Sequence, residues 1–60
     1  MNIYSKLKLA RYKLNWSISE LANKAKVSRS TIIAYENNKT NLRLDTLFKL
    51  CDALHLKILI

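Results

Sequence analysis

Basic side chains are the reactive inventory of this 60-residue chain, and they are unevenly placed. Residues 1–43 carry nine of them (Lys6, Lys8, Arg11, Lys13, Lys24, Lys26, Arg29, Lys39 and Arg43) against Glu20 and Glu36, a net charge of +7. Residues 44–60 carry Lys49 and Lys57 against Asp45 and Asp52, a net of zero. A field of one sign over most of the chain attracts polyanions, either nucleic acid or an anionic membrane surface. Other chemistries lack their parts. Cys51 is the single cysteine and His55 the single histidine, too few for a disulfide or a structural zinc. His55 has no carboxylate or nucleophile at useful spacing, and no paired carboxylates stand anywhere. Neither an enzyme nor a metal or organic cofactor is therefore expected.

The elements that must position these charges are read from periodicity and caps, because the chain has no glycine and no proline. Ile3, Leu7, Ala10 and Leu14 recur at helical spacing, predicting a first helix over about residues 3–14. Asn15 follows, the best non-glycine residue for the left-handed position that stops a helix. Ser17-Ile18-Ser19-Glu20 fits a capping box that opens a second helix, with Trp16 and Leu21 spaced as its hydrophobic staple. Ser28 caps a third helix running to about Asn37. Leu44, Leu47, Leu50, Cys51 and Leu54 mark the apolar stripe of a fourth, over about 44–54. Cys51 thus reads as core packing, as do Trp16 and Tyr35 rather than as base-stacking residues. The run Leu56-Lys57-Ile58-Leu59-Ile60 favours a strand by its branched residues, with a fifth helix the alternative.

Length and composition bound the assembly. Half the residues are apolar, so the sequence is that of a globular domain. A domain this small buries only about 60% of its unfolded surface. It needs tight helix packing or a second copy to add more. No apolar run reaches the roughly 18 residues of a membrane span, and the N-terminus has no signal-peptide pattern. One cytoplasmic domain over residues 1–60, with no membrane partner, is the expectation.

The stretch Ile18 to Asn37 is the most demanding pattern. Two short helices crossing steeply need a small residue at their closest approach, which Ala22 supplies, and inward apolar residues, which Leu21, Ala25, Val27, Ile32 and Tyr35 supply. With Ser17-x-x-Glu20-Leu21-Ala22, Val27-Ser28-Arg29-Ser30-Thr31-Ile32, Tyr35-Glu36-Asn37-Asn38-Lys39 and Leu44-x-Thr46-Leu47-x-Lys49-Leu50, residues 3–54 resemble the Cro/repressor-type (XRE-like) helix-turn-helix family. Trp16-Ser17, Glu36-Asn37-Asn38 and the apolar tail look most like the antitoxin subunits of Hip-type kinase toxin–antitoxin pairs. The chain departs from the family pattern at three places. Ile18 stands where glutamine usually opens the second helix, Lys26 where glycine fills the turn, and Arg43 where a small hydroxyl residue caps the fourth helix.

The resemblance implies an all-α repressor-like fold of four to five helices that binds double-stranded DNA. The third helix enters the major groove with its N-terminal residues nearest the bases. Ser28, Arg29, Ser30, Ile33, Ala34 and Asn37 then face DNA. Arg29 either makes a bidentate bond to a guanine or contacts a phosphate. Ser30 can read either base type, and Ser28 serves as cap and phosphate contact. Ile33 and Ala34 either touch thymine methyls or pack on the protein. Ser17, Asn37, Asn38, Lys39 and Arg43 are the phosphate contacts, which set register rather than sequence. Arg11 and Glu36 form an ion pair tying the first helix to the end of the third.

One helix reads few base pairs, so a two-fold homodimer on a palindromic operator is expected. If extended, the tail presents Leu56, Ile58 and Ile60 on one face, an edge that pairing with its copy would protect. The functional expectation is a transcriptional repressor, and by resemblance an autoregulating antitoxin with a kinase-type toxin partner. The alternatives are a protein-binding module that masks a toxin, with DNA binding secondary, and a phage-type or controller regulator. A peripheral membrane role fits less well, because the bases do not gather on one amphipathic helix face.

Overall fold

The computed structural model describes residues 2–56. Four helices follow in order: α1 (Ile3–Lys13), α2 (Ile18–Ala25), α3 (Arg29–Glu36) and α4 (Leu44–Ala53). The expected all-α class holds, with no strand among the described residues. Of the tail expected as strand or fifth helix over residues 56–60, Leu56 lies in neither, and residues 57–60, including Ile58 and Ile60, lie outside the described residues. No described helix is long and apolar enough to cross a membrane.

Each of the first three helices starts on a side-chain cap. Asn2 Oδ1 accepts from the Ser5 N–H at 2.9 Å to open α1. In α2 the expected capping box is complete. Ser17 Oγ accepts from the Glu20 N–H, and Glu20 Oε1 accepts from the Ser17 N–H, both at 3.0 Å. Ser28 Oγ accepts from the Thr31 N–H at 3.2 Å to open α3. Caps of this kind contribute about 1 kcal/mol each. Arg43 opens α4 with no side-chain cap bond.

The absence of glycine is resolved in one repeated way. Asn15, Lys26, Asn38 and His55 all take φ between 57° and 59°. After each, the next N–H reaches back to the helix: Trp16 to the Arg11 carbonyl, Val27 to Ala22, Lys39 to Ala34 and Leu56 to Cys51, at 2.8–3.2 Å. These are Schellman closures built on residues other than glycine. Asparagine tolerates the left-handed region well, but lysine does so at a cost of about 1–2 kcal/mol. Lys26→Gly is therefore expected to stabilise the domain by ~0.5–1 kcal/mol after the unfolded-state entropy of glycine is subtracted. A thermal melt would show a Tm raised by a few degrees; an unchanged or lowered Tm would mean Lys26 is not strained.

The core is assembled from all four helices. Leu7 of α1, Leu21, Ala22 and Ala25 of α2, Ile32 and Tyr35 of α3, and Leu50, Cys51 and Leu54 in and after α4 are buried together. Val27, Trp16, Leu47 and Leu56 pack half-buried against them. Ala22 thus sits in the core as the α2–α3 crossing requires. Leu44 does not join the stripe: it is 61% exposed, although Leu42 before it and Leu47 after it pack half-buried on the core. Ile3 and Leu14, at the two ends of the α1 stripe, are also exposed. Burial pushes the Cys51 thiol above its ordinary range.

Candidate nucleic-acid interface

Local sequence sets the presentation of α3. Ser28 Oγ, besides capping the helix, lies 2.8 Å from Thr31 Oγ1 and 3.2 Å from Ser30 Oγ. Three hydroxyls thus gather at the helix start. Ile32 and Tyr35 turn inward and are fully buried, which sends the intervening positions outward. Ser28, Arg29 and Ser30 are exposed, and Ile33 is 43% exposed. Ala34 is half-buried, and neither it nor Ile33 belongs to the core cluster. Of the two readings of this apolar pair, packing within the protein finds no support at Ile33.

Flanking positions are exposed as well. Ser17 stands at the α2 start, and Asn37, Asn38 and Lys39 follow α3. Lys39 occupies the place after the left-handed residue that the other three helices fill with Trp16, Val27 or Leu56, all packed on the core. An apolar contact at this place is the usual companion of a Schellman closure. Here a solvated cation replaces it, beside the end of α3. Arg43 is exposed too, but its Nε lies 3.5 Å from Asp45 Oδ1, with the arginine side chain 85% exposed. A pair so solvated contributes little, yet it places one acid beside an expected phosphate contact.

The orientation of α3 is held from behind. Arg11 is only 7% exposed. Its Nε donates to Glu36 Oε2 at 2.8 Å and its Nη2 to Glu36 Oε1 at 2.9 Å. Its Nη1 donates to the Trp16 carbonyl at 2.8 Å. One guanidinium thus joins α1, the last residue of α3 and the turn before α2. The fork to Glu36 raises the Arg11 pKa, against the opposing pull of burial. The expected ion pair is present, and the Trp16 bond adds to it. Sequence reasoning also missed Tyr4, whose hydroxyl oxygen accepts from the Leu42 N–H at 3.0 Å, and it missed Leu42, half-buried in the loop before α4. The one available signal was Leu42 itself, the sole apolar residue between Asn37 and Arg43. Among the described residues no group of histidine, cysteine or acids could hold a metal ion.

Two short consecutive helices packed on each other with Ala22 buried in the core, the second exposing Arg29, Ser30 and Ile33, define a helix-turn-helix unit. Residues 7–59 match the helix-turn-helix family, and the chain belongs to it. It is 40% identical over 52 residues to antitoxin HipB of Escherichia coli strain K12, covering 87% of this chain and 59% of that protein. The same identity links it to antitoxin HipB of Escherichia coli O6:H1, covering 55% of that protein. The chain thus spans a little over half the length of these relatives. A solved structure described as MDT protein superposes with a TM-score of 0.84 at 36% identity, covering 97% of this chain and 82% of that one.

Proposed function

We propose that this protein is a sequence-specific double-stranded DNA-binding repressor, acting in the cytoplasm as the autoregulating antitoxin of a toxin–antitoxin operon. The observation that carries the DNA reading is the exposed face of α3, Arg29 with Ser28, Ser30 and Ile33, backed by a buried ion pair and flanked by Lys39. Docking the N-terminal half of α3 in the major groove sets Arg29 against a guanine edge, with Ser30, Ile33 and Ala34 beside it. Ser17, Ser28, Asn37, Asn38, Lys39 and Arg43 take the phosphates on either side. The antitoxin assignment rests on the relatives, two of which are named antitoxins. It brings a toxin protein as second partner.

A homodimer on a palindromic operator completes the reading, with Leu56, Ile58 and Ile60 as its contact residues. Of these, Leu56 also packs half-buried on its own core. The test is a gel shift on the DNA upstream of the protein's own coding sequence, in the presence of excess mixed-sequence competitor. Retention of a discrete complex supports the repressor reading. Loss of all binding to competitor indicates a basic protein without an operator there.

A further inference from the structure

Three of the four helix ends are locked by an apolar residue directly after the left-handed position, and the end of α3 is not. Trp16, Val27 and Leu56 pack on the core at that place, whereas Lys39 is exposed. Residues Asn37 to Asn41 are all exposed, so the loop leaves α3 without a side chain of its own to hold it. The anchor comes later and from another helix. Leu42 packs half-buried against the core, and its N–H donates to the Tyr4 hydroxyl at 3.0 Å, 38 residues away in sequence. Tyr4 is itself fixed: its ring lies 6.0 Å from that of the fully buried Tyr35, at 40°. An open cleft of about 500 Å³ lies between the start of α1 and this loop, lined by Asn2, Tyr4, Asn38, Lys39, Thr40 and Asn41.

We infer that Tyr4 is a positioning residue for DNA binding: by holding the Leu42 N–H it sets the loop that presents Asn38 and Lys39 to the phosphate backbone. The inference rests on the DNA-binding reading above. It follows from two facts together, the missing apolar lock at Lys39 and a bond that takes its place. A cation that must reach a phosphate cannot also be the residue that pins its loop to the core. Transferring the lock to Leu42 and Tyr4 leaves Lys39 free while its backbone stays placed.

Tyr4→Phe removes only the hydroxyl oxygen and keeps the ring against Tyr35. Binding to a short labelled DNA duplex of mixed sequence is measured by anisotropy over a salt series, since phosphate contacts do not depend on sequence. Tyr4→Phe is expected to bind about fivefold more weakly, with the slope of log K against log salt smaller by about one per protomer. Amide exchange at Leu42 is expected to speed up in the absence of DNA. Leu50→Val, which loosens the core at the opposite helix, serves as the control for stability alone and should leave the slope unchanged. Wild-type affinity and slope in Tyr4→Phe overturn the inference while leaving the DNA reading intact. An equal loss of slope in Leu50→Val overturns it too, by reducing Tyr4 to a stability role. Failure of the unmodified protein to bind either this duplex at low salt or the upstream fragment sinks the DNA reading and this inference with it.

Discussion

Glu36→Ala is expected to destabilise the domain by about 3–5 kcal/mol and to weaken DNA binding at the same time. The carboxylate accepts two bonds from Arg11, whose side chain is 9% exposed. Removing it leaves a guanidinium out of water with the Trp16 carbonyl as its one remaining acceptor. The charge cannot be discarded, because arginine stays protonated at any accessible pH. A chain of this length has roughly 3–9 kcal/mol of stability in all, so the variant should be largely unfolded or nearly so at ambient temperature. Urea titration followed by circular dichroism would read this. Arg11→Met in the Glu36→Ala background should recover part of the loss, since a stranded charge is costlier than an apolar replacement of the pair. A Glu36→Ala protein with normal stability and normal DNA binding would refute the structural role given to the pair.

The second large effect is on salt. If about six phosphates are neutralised per bound dimer, affinity should fall about a thousandfold between roughly 50 and 200 mM salt, through release of condensed counterions. The chain is equipped for this: its net charge is +7, and two of its four acids are engaged in a cap and a buried pair. Asp45 beside Arg43 subtracts from the field locally, so Arg43 should contribute less to the slope than Lys39. An anisotropy titration at several salt concentrations measures the slope directly. A flat dependence would remove the phosphate contacts from the account.

Much of the architecture could be read from local signals. The Ser17–Glu20 box, the Ser28 cap and the left-handed Asn15 are each written within four residues, and short-range hydrogen bonding decides them. The inward set Leu21, Ala22, Ala25, Ile32 and Tyr35 follows from period and size. Arg11 with Glu36 was legible only through family resemblance, because nothing local links positions 25 apart. Tyr4 with Leu42 had neither of these, only the mark of one apolar residue, Leu42, in a polar stretch. A contact between the first turn of one helix and a loop backbone leaves no periodic trace. Leu44 was misread because spacing alone does not say which apolar residue at a helix start meets a partner surface: Leu42 and Leu47 do, and Leu44 does not. The left-handed Asn38 and His55 went unforeseen for want of glycine, the usual marker.

Whether Arg29 reads a base or only touches the backbone decides between a sequence-specific regulator and a basic protein that merely coats DNA. The measurement is the affinity of Arg29→Ala for the upstream operator fragment and, in parallel, for mixed-sequence duplex. A bidentate guanine contact predicts a loss of about 1–3 kcal/mol per half-site on the operator, against a small loss on mixed sequence. Equal losses on both, or none on either, would contradict the placement of α3 in the major groove with Arg29 against a base.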